Sequence, residues 1–518
     1  MMRLFTAFLF FLFVSGCDAQ VMFQKTFGGI FNNHSASILQ TNDSGFIMAG
    51  GWDVTGHSDV VPYLIRTNSA GDTLWTKIYG DSVFTGNARS IEQANDGGFV
   101  VTGVIKNPAT GDNNILLMKI DGSGNVLWTK LTGVATFNDG YCVKQTNDGG
   151  FIVSGISLNG GGYNNICMVR TDSIGTVLFS KVYSDNVSHF YSSSVLPNSD
   201  GSFFISGYNN YLAYILIKID SFGNVLWSKG YDGVAASGII NTNDGNCIIS
   251  GKRFRPGFTD DDVLLIKINA AGDTLWARTF GTAGNETGVE VRQINDGGFV
   301  ICGHTAINST WDALLIKTDS SGNILWSRNY GGINDDIAVS LLQTADTGYA
   351  IAGYSNSFGA GMFDAWLIKT NSTGISGCNE TSPSYVMSYP SIPIFAGGMI
   401  ATNPGNAVNS VAMPVSTPFT QQTTLCYING IEQMNDGENR ITIFPNPASS
   451  HFAISNEQFA IREISIYDVL GRNVYNTDVT AGNTDVLTIN TAAFNSGIYF
   501  VSIKTKEGIV TKKLVVQR

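Results

Sequence analysis

The sequence predicts an all-β protein made of repeated four-stranded units, and three observations support this prediction. Close variants of LIKTDSSGNILWSRNYGG, residues 315–332, recur about every fifty residues, a period typical of repeat architectures. The 518 residues include 59 Gly beside 31 Phe, 19 Tyr and 8 Trp, a composition that favours strands joined by tight turns. Asn-Gly or Asp-Gly turns, which are strong hairpin signals, recur in step with the repeat.

Each repeat predicts four short antiparallel strands. A first strand such as 90–93 ends in an Asn-Asp-Gly-Gly turn, and a second strand such as 151–154 follows. A third strand, for example 313–318, and a fourth that carries Leu325-Trp326 complete the unit. The second strands begin at Phe46, Phe99, Phe151, Phe203, Cys247, Phe299 and Tyr349, which makes seven units. Radially repeated units of this kind are propeller blades, so we expect a seven-bladed β-propeller over residues 20–378.

The N-terminal strand is expected to close the ring of blades. The seventh unit has a third strand but no fourth, whereas residues 21–29 form an orphan strand with the fourth-strand pattern of residues 74–80. The matching residues are Met22, Phe23, Lys25 and Phe27. Closure by this strand would leave neither terminal blade with an unpaired edge. The recurring Trp or Phe of the fourth strands is expected to fill the space between neighbouring sheets.

The chain opens with the layout of a secretory signal peptide over residues 1–19. Arg3 precedes an apolar run from Leu4 to Val14, which is too short to span a bilayer, and cleavage is expected after Ala19. An alternative remains, because residues 14–17 resemble a lipobox in which Cys17 is lipidated and retained. Both alternatives predict export.

Charge and motifs exclude several functional classes. The formal net charge of −11 argues against nucleic acid as a partner. The sequence contains no recognisable catalytic, phosphate-binding or metal-binding motif, so we predict no catalytic residue, metal or cofactor. The five histidines show no metal-ligand spacing, and the run 260–262 of three aspartates is expected to be a solvated turn.

The loops between second and third strands vary in length and content, and ligand-binding residues usually lie on such loops. We therefore expect these loops to converge at one mouth of the central channel. The candidate ligand-binding residues are Trp52, Tyr163, Tyr208, Arg253, Arg255, Trp311 and Phe363. A binding or adhesion protein for an unknown glycan or protein is the first hypothesis. A glycan hydrolase or lyase, and a structural envelope component, are the alternatives.

Residues 379–440 are predicted to be a linker, because six of the twelve prolines lie there and the repeat pattern stops. Cys378 and Cys426 bracket most of this segment. In an exported protein they are expected to form a disulfide, the alternative being two free thiols. The remaining cysteines of the repeats are predicted to be buried.

Residues 441–518 predict a small β-sandwich of about six strands, with an immunoglobulin-like arrangement. Its motif residues are Pro445, Asn446, Pro447, Gly471, Arg472, Gly497, Tyr499 and Lys513. With these motifs the segment resembles the type A C-terminal sorting domain of the type IX secretion system. The repeats resemble those of secreted Bacteroidetes proteins that are regarded as β-propellers.

The resemblance implies where the protein is delivered and what delivers it. The signal peptide would carry the chain into the periplasm, and the type IX machinery would recognise the sorting domain and pass the chain through the outer membrane. Removal of the domain would then leave the protein released or attached to surface lipopolysaccharide. An extracellular or outer-surface location is therefore expected.

Overall fold

The computed structural model describes the protein over residues 20–56, 59–133, 137–158, 162–210, 213–254, 260–307, 309–402, 407–418, 420–428, 441–456, 461–468, 472–478, 486–504 and 509–517. The predicted signal peptide, including Cys17, lies outside these ranges, as do Arg255 and Gly471. The chain divides into two compact units, Met22–Tyr427 and a second formed by Met1–Val21 with Ile428–Arg518. Every element of the described ranges is a strand, and none of their segments is a helix able to cross a membrane.

The repeat region contains the strands that the hairpin pattern predicts. They are β1 (Met22–Gly28), β2 (Asn33–Gln40), β3 (Phe46–Asp53), β4 (Val60–Thr67), β5 (Thr73–Tyr79), β6 (Gly86–Gln93), β7 (Phe99–Lys106), β8 (Asn113–Ile120), β9 (Val126–Gly133), β10 (Asn138–Gln145), β11 (Phe151–Leu158), β12 (Asn164–Thr171), β13 (Val177–Ser184), β14 (Phe190–Pro197), β15 (Phe203–Asn209), β16 (Ala213–Ile219), β17 (Val225–Asp232), β18 (Val234–Asn241), β19 (Cys247–Phe254), β20 (Asp261–Ile268), β21 (Thr274–Gly281), β22 (Glu286–Gln293), β23 (Phe299–Ile307), β24 (Thr310–Thr318), β25 (Ile324–Tyr330), β26 (Asp336–Gln343), β27 (Tyr349–Ser355) and β28 (Asp364–Thr370).

Within the described residues, these strands form seven antiparallel sheets. Sheets 1 to 6 each take four consecutive strands, from β2–β5 for sheet 1 to β22–β25 for sheet 6. Sheet 7 has the order β26-β27-β28-β1, so the N-terminal strand occupies the fourth place. Phe23 of β1 pairs with Lys369 of β28, and Phe27 pairs with Ala365. Phe23 and Phe27 are completely buried, Met22 and Lys25 are each 2 % exposed, and all four therefore belong to the core.

Neighbouring sheets are joined by one contact that recurs in every unit of the described chain. The aromatic ring of each fourth strand lies against a glycine in the third-to-fourth turn of the next sheet. Gly124, with a φ of +76°, is so close to Trp75 that an added Cβ would lie 2.8 Å from the indole ring. Only glycine fits there, because a side chain would be strained by the positive φ and would also collide with the ring.

Sheet 7 and sheet 1 meet through the same contacts as the other neighbours. Phe23 lies against Gly71, where a Cβ would come within 2.5 Å of the ring, and Lys25 pairs with Asp72 at 2.6 Å. The side-chain oxygen of Gln40 in sheet 1 accepts a hydrogen bond from the Ala345 backbone of sheet 7 at 3.1 Å. The first strand of each sheet contacts the first strand of the next, and β2 contacts β26.

The segment predicted to be a linker instead becomes part of these sheets over most of its length. Residues 380–427, which we call the strap, add a fifth strand to each sheet. Its strands are β29 (Glu380–Thr381), β30 (Val386–Ser388), β31 (Ile394–Ala396), β32 (Ile400–Thr402), β33 (Ala407–Ser410), β34 (Val415–Ser416) and β35 (Gln421–Ile428). They join sheets 6, 5, 4, 3, 2, 1 and 7 in that order, each beside the fourth strand. The described prolines of the strap lie in the connections between its short strands, where no backbone N–H is needed for sheet pairing.

The strap is anchored by buried side chains at multiples of seven residues. Tyr385, Ile392, Met399 and Met413 are each at most 9 % exposed. Tyr385 belongs to the core shared by sheets 5 and 6, Ile392 to that of sheets 4 and 5, Met399 to that of sheets 3 and 4, and Met413 to that of sheets 1 and 2. Each anchor therefore packs in the groove between two neighbouring sheets. An advance of seven residues along the strap leads from one groove to the next.

A disulfide joins the two ends of the strap. Cys378 precedes β29 and Cys426 lies in β35; their Sγ atoms are bonded and their Cα atoms lie 6.1 Å apart. The chain between the two cysteines visits all seven sheets. Four further cysteines of the described residues, Cys142, Cys167, Cys247 and Cys302, are free and buried.

The C-terminal unit has two small antiparallel sheets in its described residues. Its strands are β36 (Ile441–Phe444), β37 (His451–Asn456), β38 (Glu463–Asp468), β39 (Asn473–Asp478), β40 (Val486–Asn490), β41 (Gly497–Lys504) and β42 (Ile509–Val516). One sheet has the order β36-β37-β40 and the other β39-β38-β41-β42. Phe452 and Ile489 from the first sheet share one apolar core with Ile466 and Val501 from the second.

The strap anchors generate a prediction about stability. Ile392→Ala should lower the free energy of unfolding by roughly 2–5 kcal/mol, because it opens a cavity between sheets 4 and 5. Ile394→Ala is the matched control, since Ile394 is 38 % exposed and should lose less than about 1 kcal/mol. Urea unfolding of the two variants measures the difference, and equal losses would contradict the anchoring role of position 392.

Candidate functional site

A cavity of about 940 Å³ is lined by residues from the first strands of all seven sheets. Each of these strands carries a β-bulge at its fourth residue, where two residues face one on the second strand. Bulges re-aim side chains, and here the bulged residues line the cavity. They are Ala36, Arg89, Tyr141, Ser193, Ser237, Val289 and Val339. The seven equivalent positions therefore place five residue types, Ala, Arg, Tyr, Ser and Val, on the wall of one cavity.

The sixth residue of the same strands behaves differently. It is Ile, Val or Leu in all seven sheets and at most 4 % exposed. The seven residues are Ile38, Ile91, Val143, Val195, Ile239, Val291 and Leu341. Packing between sheets thus limits the sixth position to branched aliphatic residues, whereas the fourth position accepts five residue types, all of which line the cavity.

A group of interacting charged and aromatic side chains lies where sheets 2 and 3 meet. The guanidinium of Arg89 donates to both carboxylate oxygens of Asp139, with Nη2 2.8 Å from Oδ2, and lies 4.8 Å from the ring centre of Tyr141. Burial acts to lower the pKa of Arg89, but the bonds to Asp139 outweigh it and raise the pKa. Burial also raises the pKa of Asp139 despite Arg89. Arg89 thus contacts both the Asp139 carboxylate and the Tyr141 ring.

Two further tyrosines extend this cluster into sheet 4. Tyr191 of β14 and Tyr208 of β15 face each other across the strand pair, with ring centres 5.2 Å apart and planes inclined by 22°. Tyr208 is 36 % exposed. The pKa of Tyr141 is raised by burial, and Asp139, Tyr208 and Tyr191 add to that effect against Arg89. We call Arg89, Asp139, Tyr141, Tyr191 and Tyr208 the tyrosine cluster.

The other charged side chains of the cavity are also paired. Lys144 Nζ lies 2.7 Å from Glu92 Oε2, and Arg292 forms an ion pair with Glu290. Burial acts to lower the pKa of Lys144, but the charge of Glu92 outweighs it and holds the pKa above its ordinary value. Each of these two cations therefore has its own carboxylate, as Arg89 does.

The described ligand-binding candidates lie in or directly beside the second and third strands, near the connections that join these strands, and we call this end of the sheets the loop face. Each described aromatic candidate packs against a ring of its own or the adjacent sheet. The pairs are Trp52 with Tyr63, Tyr163 with His189, Tyr208 with Tyr191, Trp311 with His304 and Phe363 with Tyr354. Arg253 donates to the Ser391 carbonyl of the strap at 3.1 Å. The structure brings Tyr208 to the tyrosine cluster, whereas convergence of the whole set remains a prediction.

Arg89, Tyr141 and Tyr191 were missed by sequence reasoning. They lie inside the first strands, whereas the candidates were sought in the variable loops. A signal was present, because an alignment of the seven first strands shows that the second and fourth positions vary while the sixth does not.

The opposite end of the sheets, which we call the turn face, has a uniform chemistry. In each sheet a Lys or Arg of the third strand pairs with the Asp of the first-to-second turn. The pairs are Arg66–Asp43, Lys119–Asp96, Arg170–Asp148, Lys218–Asp200, Lys267–Asp244, Lys317–Asp296 and Lys369–Asp346. Hydrogen bonds from Thr41 and then Arg66 lower the pKa of Asp43 to about 2. This repetition indicates a structural role.

Two carboxylates meet near the loop face between sheets 6 and 7. Asp312 and Asp336 both crowd Gly331, where an added Cβ would lie 3.0 Å from Asp336 Oδ2. Burial raises the pKa of Asp312 to about 6, with a smaller contribution from Asp336. Burial also raises the pKa of Asp336, although Ser355 and Ser357 donate hydrogen bonds to it. Across the described ranges, no group of three or more His, Cys, Asp or Glu is arranged to hold a metal ion.

The motif residues of the C-terminal unit hold its last strand in place. The Asn446 side-chain oxygen accepts from the Val515 backbone of β42 at 2.8 Å, between Pro445 and Pro447. Tyr499 donates its hydroxyl to the Asn495 carbonyl at 3.0 Å, two residues after Gly497 opens β41. Arg472 pairs with Asp468 at 2.7 Å, and Lys513 lies in β42 opposite Phe500. The motif is therefore tied to both sides of the β41–β42 hairpin.

Residues 442–517 match the secretion system C-terminal sorting domain family. The chain carries a type IX sorting domain. Proteins marked by this sorting domain are secreted through the type IX system to the outside of the cell or its surface. The protein is therefore extracellular or surface-located, and its sorting domain engages the type IX machinery.

Two further comparisons, one of sequence and one of structure, found similar proteins. The endo-acting ulvan lyase of Formosa agariphila is 29 % identical over 117 residues, which are 21 % of this chain and 22 % of the lyase. The chain thus spans about a fifth of the length of that relative. The crystal structure of Sqt1 from Chaetomium thermophilum aligns over 67 % of this chain and 98 % of its own, with a TM-score of 0.34 and 9 % identity. A likeness at that level does not assign a fold.

The carboxylate pair near the loop face predicts an unusual pH dependence. Because the pKa of Asp312 is raised in the folded state, the stability it contributes is complete at low pH and is lost as pH rises through about 6. Asp312→Asn should therefore stabilise the protein at pH 7 and flatten its stability between pH 5 and 7. Thermal melting across this range provides the measurement.

Asp319→Asn is the control with the opposite sign. Slight burial of Asp319 acts to raise its pKa, but hydrogen bonds from Asn323 and Ser321 outweigh it and lower the pKa. Its contribution should be complete above the ordinary Asp pKa and lost as pH falls below it. An Asp312→Asn protein that keeps the wild-type slope between pH 5 and 7 would contradict the assignment.

Proposed function

We propose that the protein is a secreted seven-bladed β-propeller that binds a ligand on its loop face, at the mouth of the central cavity. The type IX sorting domain delivers it to the outside. Residues 20–378 supply the blades, the strap encloses them, and residues 441–518 are the sorting domain. The ligand-binding residues are drawn from the loop-face candidates and the tyrosine cluster.

The closed ring is supported by contacts that treat sheets 7 and 1 like any other neighbours. Phe23 and Gly71 repeat the ring-on-glycine contact, and Gln40 accepts from sheet 7 as Gln145 of sheet 3 accepts from Asn95 of sheet 2. Enclosure of one cavity by all seven first strands supports the same arrangement. A propeller closed by its N-terminal strand accounts for all of these contacts.

One observation carries the binding proposal: the fourth residues of the seven first strands line one cavity and include Arg89 and Tyr141, while Tyr191 and Tyr208 stack on each other in the adjacent sheet. Aromatic residues and Arg are enriched among residues that dominate binding energy. Rigid strands also present these groups without the entropy cost of ordering a loop. The arrangement therefore favours recognition.

A glycan lyase or hydrolase is the second candidate, because of the identity to the ulvan lyase. Such an enzyme needs a base that is unprotonated near neutral pH. The pKa of Tyr141 is raised, mainly by burial, so its phenol donates hydrogen bonds but does not accept a proton. His34 is neutral, with a pKa lowered by burial and by Arg89 to about 4, but its Nε2 lies 2.9 Å from the Asn87 amide. Binding therefore fits the geometry better.

Ring closure is tested by a substitution in β1. Phe23→Ala should lower the free energy of unfolding by roughly 3–5 kcal/mol, since Phe23 fills the groove between sheets 7 and 1. Phe222→Ala is the control, because Phe222 is 73 % exposed in a turn of sheet 4 and should change stability by about 0.5 kcal/mol or less. If Phe23→Ala melts like the wild-type protein, the N-terminal strand does not close the ring.

The binding face is tested with glycans including ulvan, host matrix proteins and chromogenic substrates. Any ligand found should lose at least about tenfold in affinity, which is about 1.4 kcal/mol, on alanine substitution of two or more loop-face residues such as Tyr163 and Tyr208. Substitutions at Asp148 and Asp319 on the turn face should have little effect. Turnover that disappears when loop-face carboxylates are replaced would establish the enzyme instead.

A further inference from the structure

We infer that the ligand of the tyrosine cluster is an uncharged saccharide. This inference rests on the proposed function and adds the chemical class of the ligand. It depends on three properties of the site: the exposed ring surface, the supply of hydrogen-bond donors and the balance of charge.

The ring surface is suited to a flat, partly apolar ligand. Tyr191 and Tyr208 stack with an inclination of only 22°, and Tyr208 is 36 % exposed at the loop face. A pyranose ring has one face rich in C–H groups, which packs on an aromatic ring as other apolar groups do. Because each tyrosine also carries a hydroxyl, apolar and polar contacts are available to the same ligand.

The site supplies donors that keep their protons. Burial is the largest cause of the raised pKa of Tyr141 and of the raised pKa of Tyr208. Both phenols are therefore protonated at neutral pH, and each can donate one hydrogen bond to a ligand. The hydroxyls of Ser193 and Ser194 in the cavity wall already contact Ser206 and Cys142, and each keeps an oxygen lone pair that can accept from a ligand. Alternating donors and acceptors match the hydroxyls of a sugar.

The charge balance excludes an anionic ligand as the preferred one. The cations of the cavity, Arg89, Lys144 and Arg292, are each held by a carboxylate at short distance. Asp139 is 2 % exposed, so taking Arg89 away from it would leave a buried charge unpaired at high cost. The whole chain carries a formal charge of −11, which repels polyanions at long range. Binding of an uncharged ligand breaks no ion pair and is not opposed by the net negative charge of the chain.

The size of the cavity sets the scale of the ligand. A volume of about 940 Å³ lies at the upper end of small-molecule sites and accommodates more than one sugar unit. Arg89 and Tyr141 line this volume, and Tyr191 precedes the lining residue Ser193 by two residues in β14. The geometry therefore fits a short oligosaccharide or the end of a longer neutral chain.

The experiment measures binding of the full mature chain to three sets of probes at 50 and 500 mM salt. The probes are uncharged oligosaccharides, uronate-bearing or sulfated oligosaccharides, and peptides. An uncharged oligosaccharide should bind with an affinity that changes less than twofold between the two salt concentrations, because no ion pair forms. Tyr208→Ala should weaken that binding at least about tenfold, whereas Tyr208→Phe, which keeps the ring, should weaken it less.

Phe222→Ala serves as the matched control, since Phe222 is an exposed aromatic residue of the same sheet on the turn face. A melting temperature equal to wild type shows that each variant is folded. Failure of every uncharged saccharide to bind at millimolar concentration would overturn the inference. Binding of only charged glycans or peptides, with the same dependence on Tyr208, would overturn the ligand class and leave the loop face standing. Binding that responds to Phe222→Ala and not to Tyr208→Ala would overturn the proposed function itself.

Discussion

The contact between an aromatic ring and a left-handed glycine is the constraint on which the larger unit depends. Each fourth strand places its ring on the next sheet at a position where no Cβ fits, as Trp276 does at Gly322. The contact fixes the distance and angle between two sheets at once, because a flat ring against a bare backbone leaves no room for adjustment. Repeated from sheet to sheet, it also determines where the first strands lie and hence the width of the cavity.

The sequence predicted the strands of the repeats but not those of the strap, and one physical difference explains both results. A strand of the seven repeated sheets buries residues on both faces, so its apolar pattern is dense, and its turns need glycine with positive φ. The strap buries one side chain in about seven, and its signal is therefore sparse. Tyr385, Ile392 and Met399 are seven residues apart, and Pro383 and Pro390 precede two of them by two residues. The described prolines, which suggested a loose linker, lie between the short strands of the strap and interrupt none of them.

In the candidate site too, some residues could be predicted from the local sequence pattern and others could not. Tyr208 was selected because it follows a second strand at the loop face, a position that can be read from the repeat. Arg89 and Tyr141 are interior residues of first strands, and a bulge turns them toward the cavity. Their chemistry depends on partners in the neighbouring sheet, about fifty residues away. The register of one sheet against the next is what brings Arg89 to Asp139, and no single repeat contains that information.

The disulfide between Cys378 and Cys426 closes a covalent loop, which we call the hoop, and this loop supplies an outermost strand to each of the seven sheets. Repeat proteins commonly lose their end units first, because each unit contacts only its neighbours. Here the terminal strand β1 lies between β28 and β35, so it is paired on both edges. Detaching one sheet would require the hoop to widen while its other anchors stay seated between sheets. We therefore expect the larger unit to resist fraying and stepwise proteolysis, a useful property for a protein that functions outside the cell, where nothing refolds it.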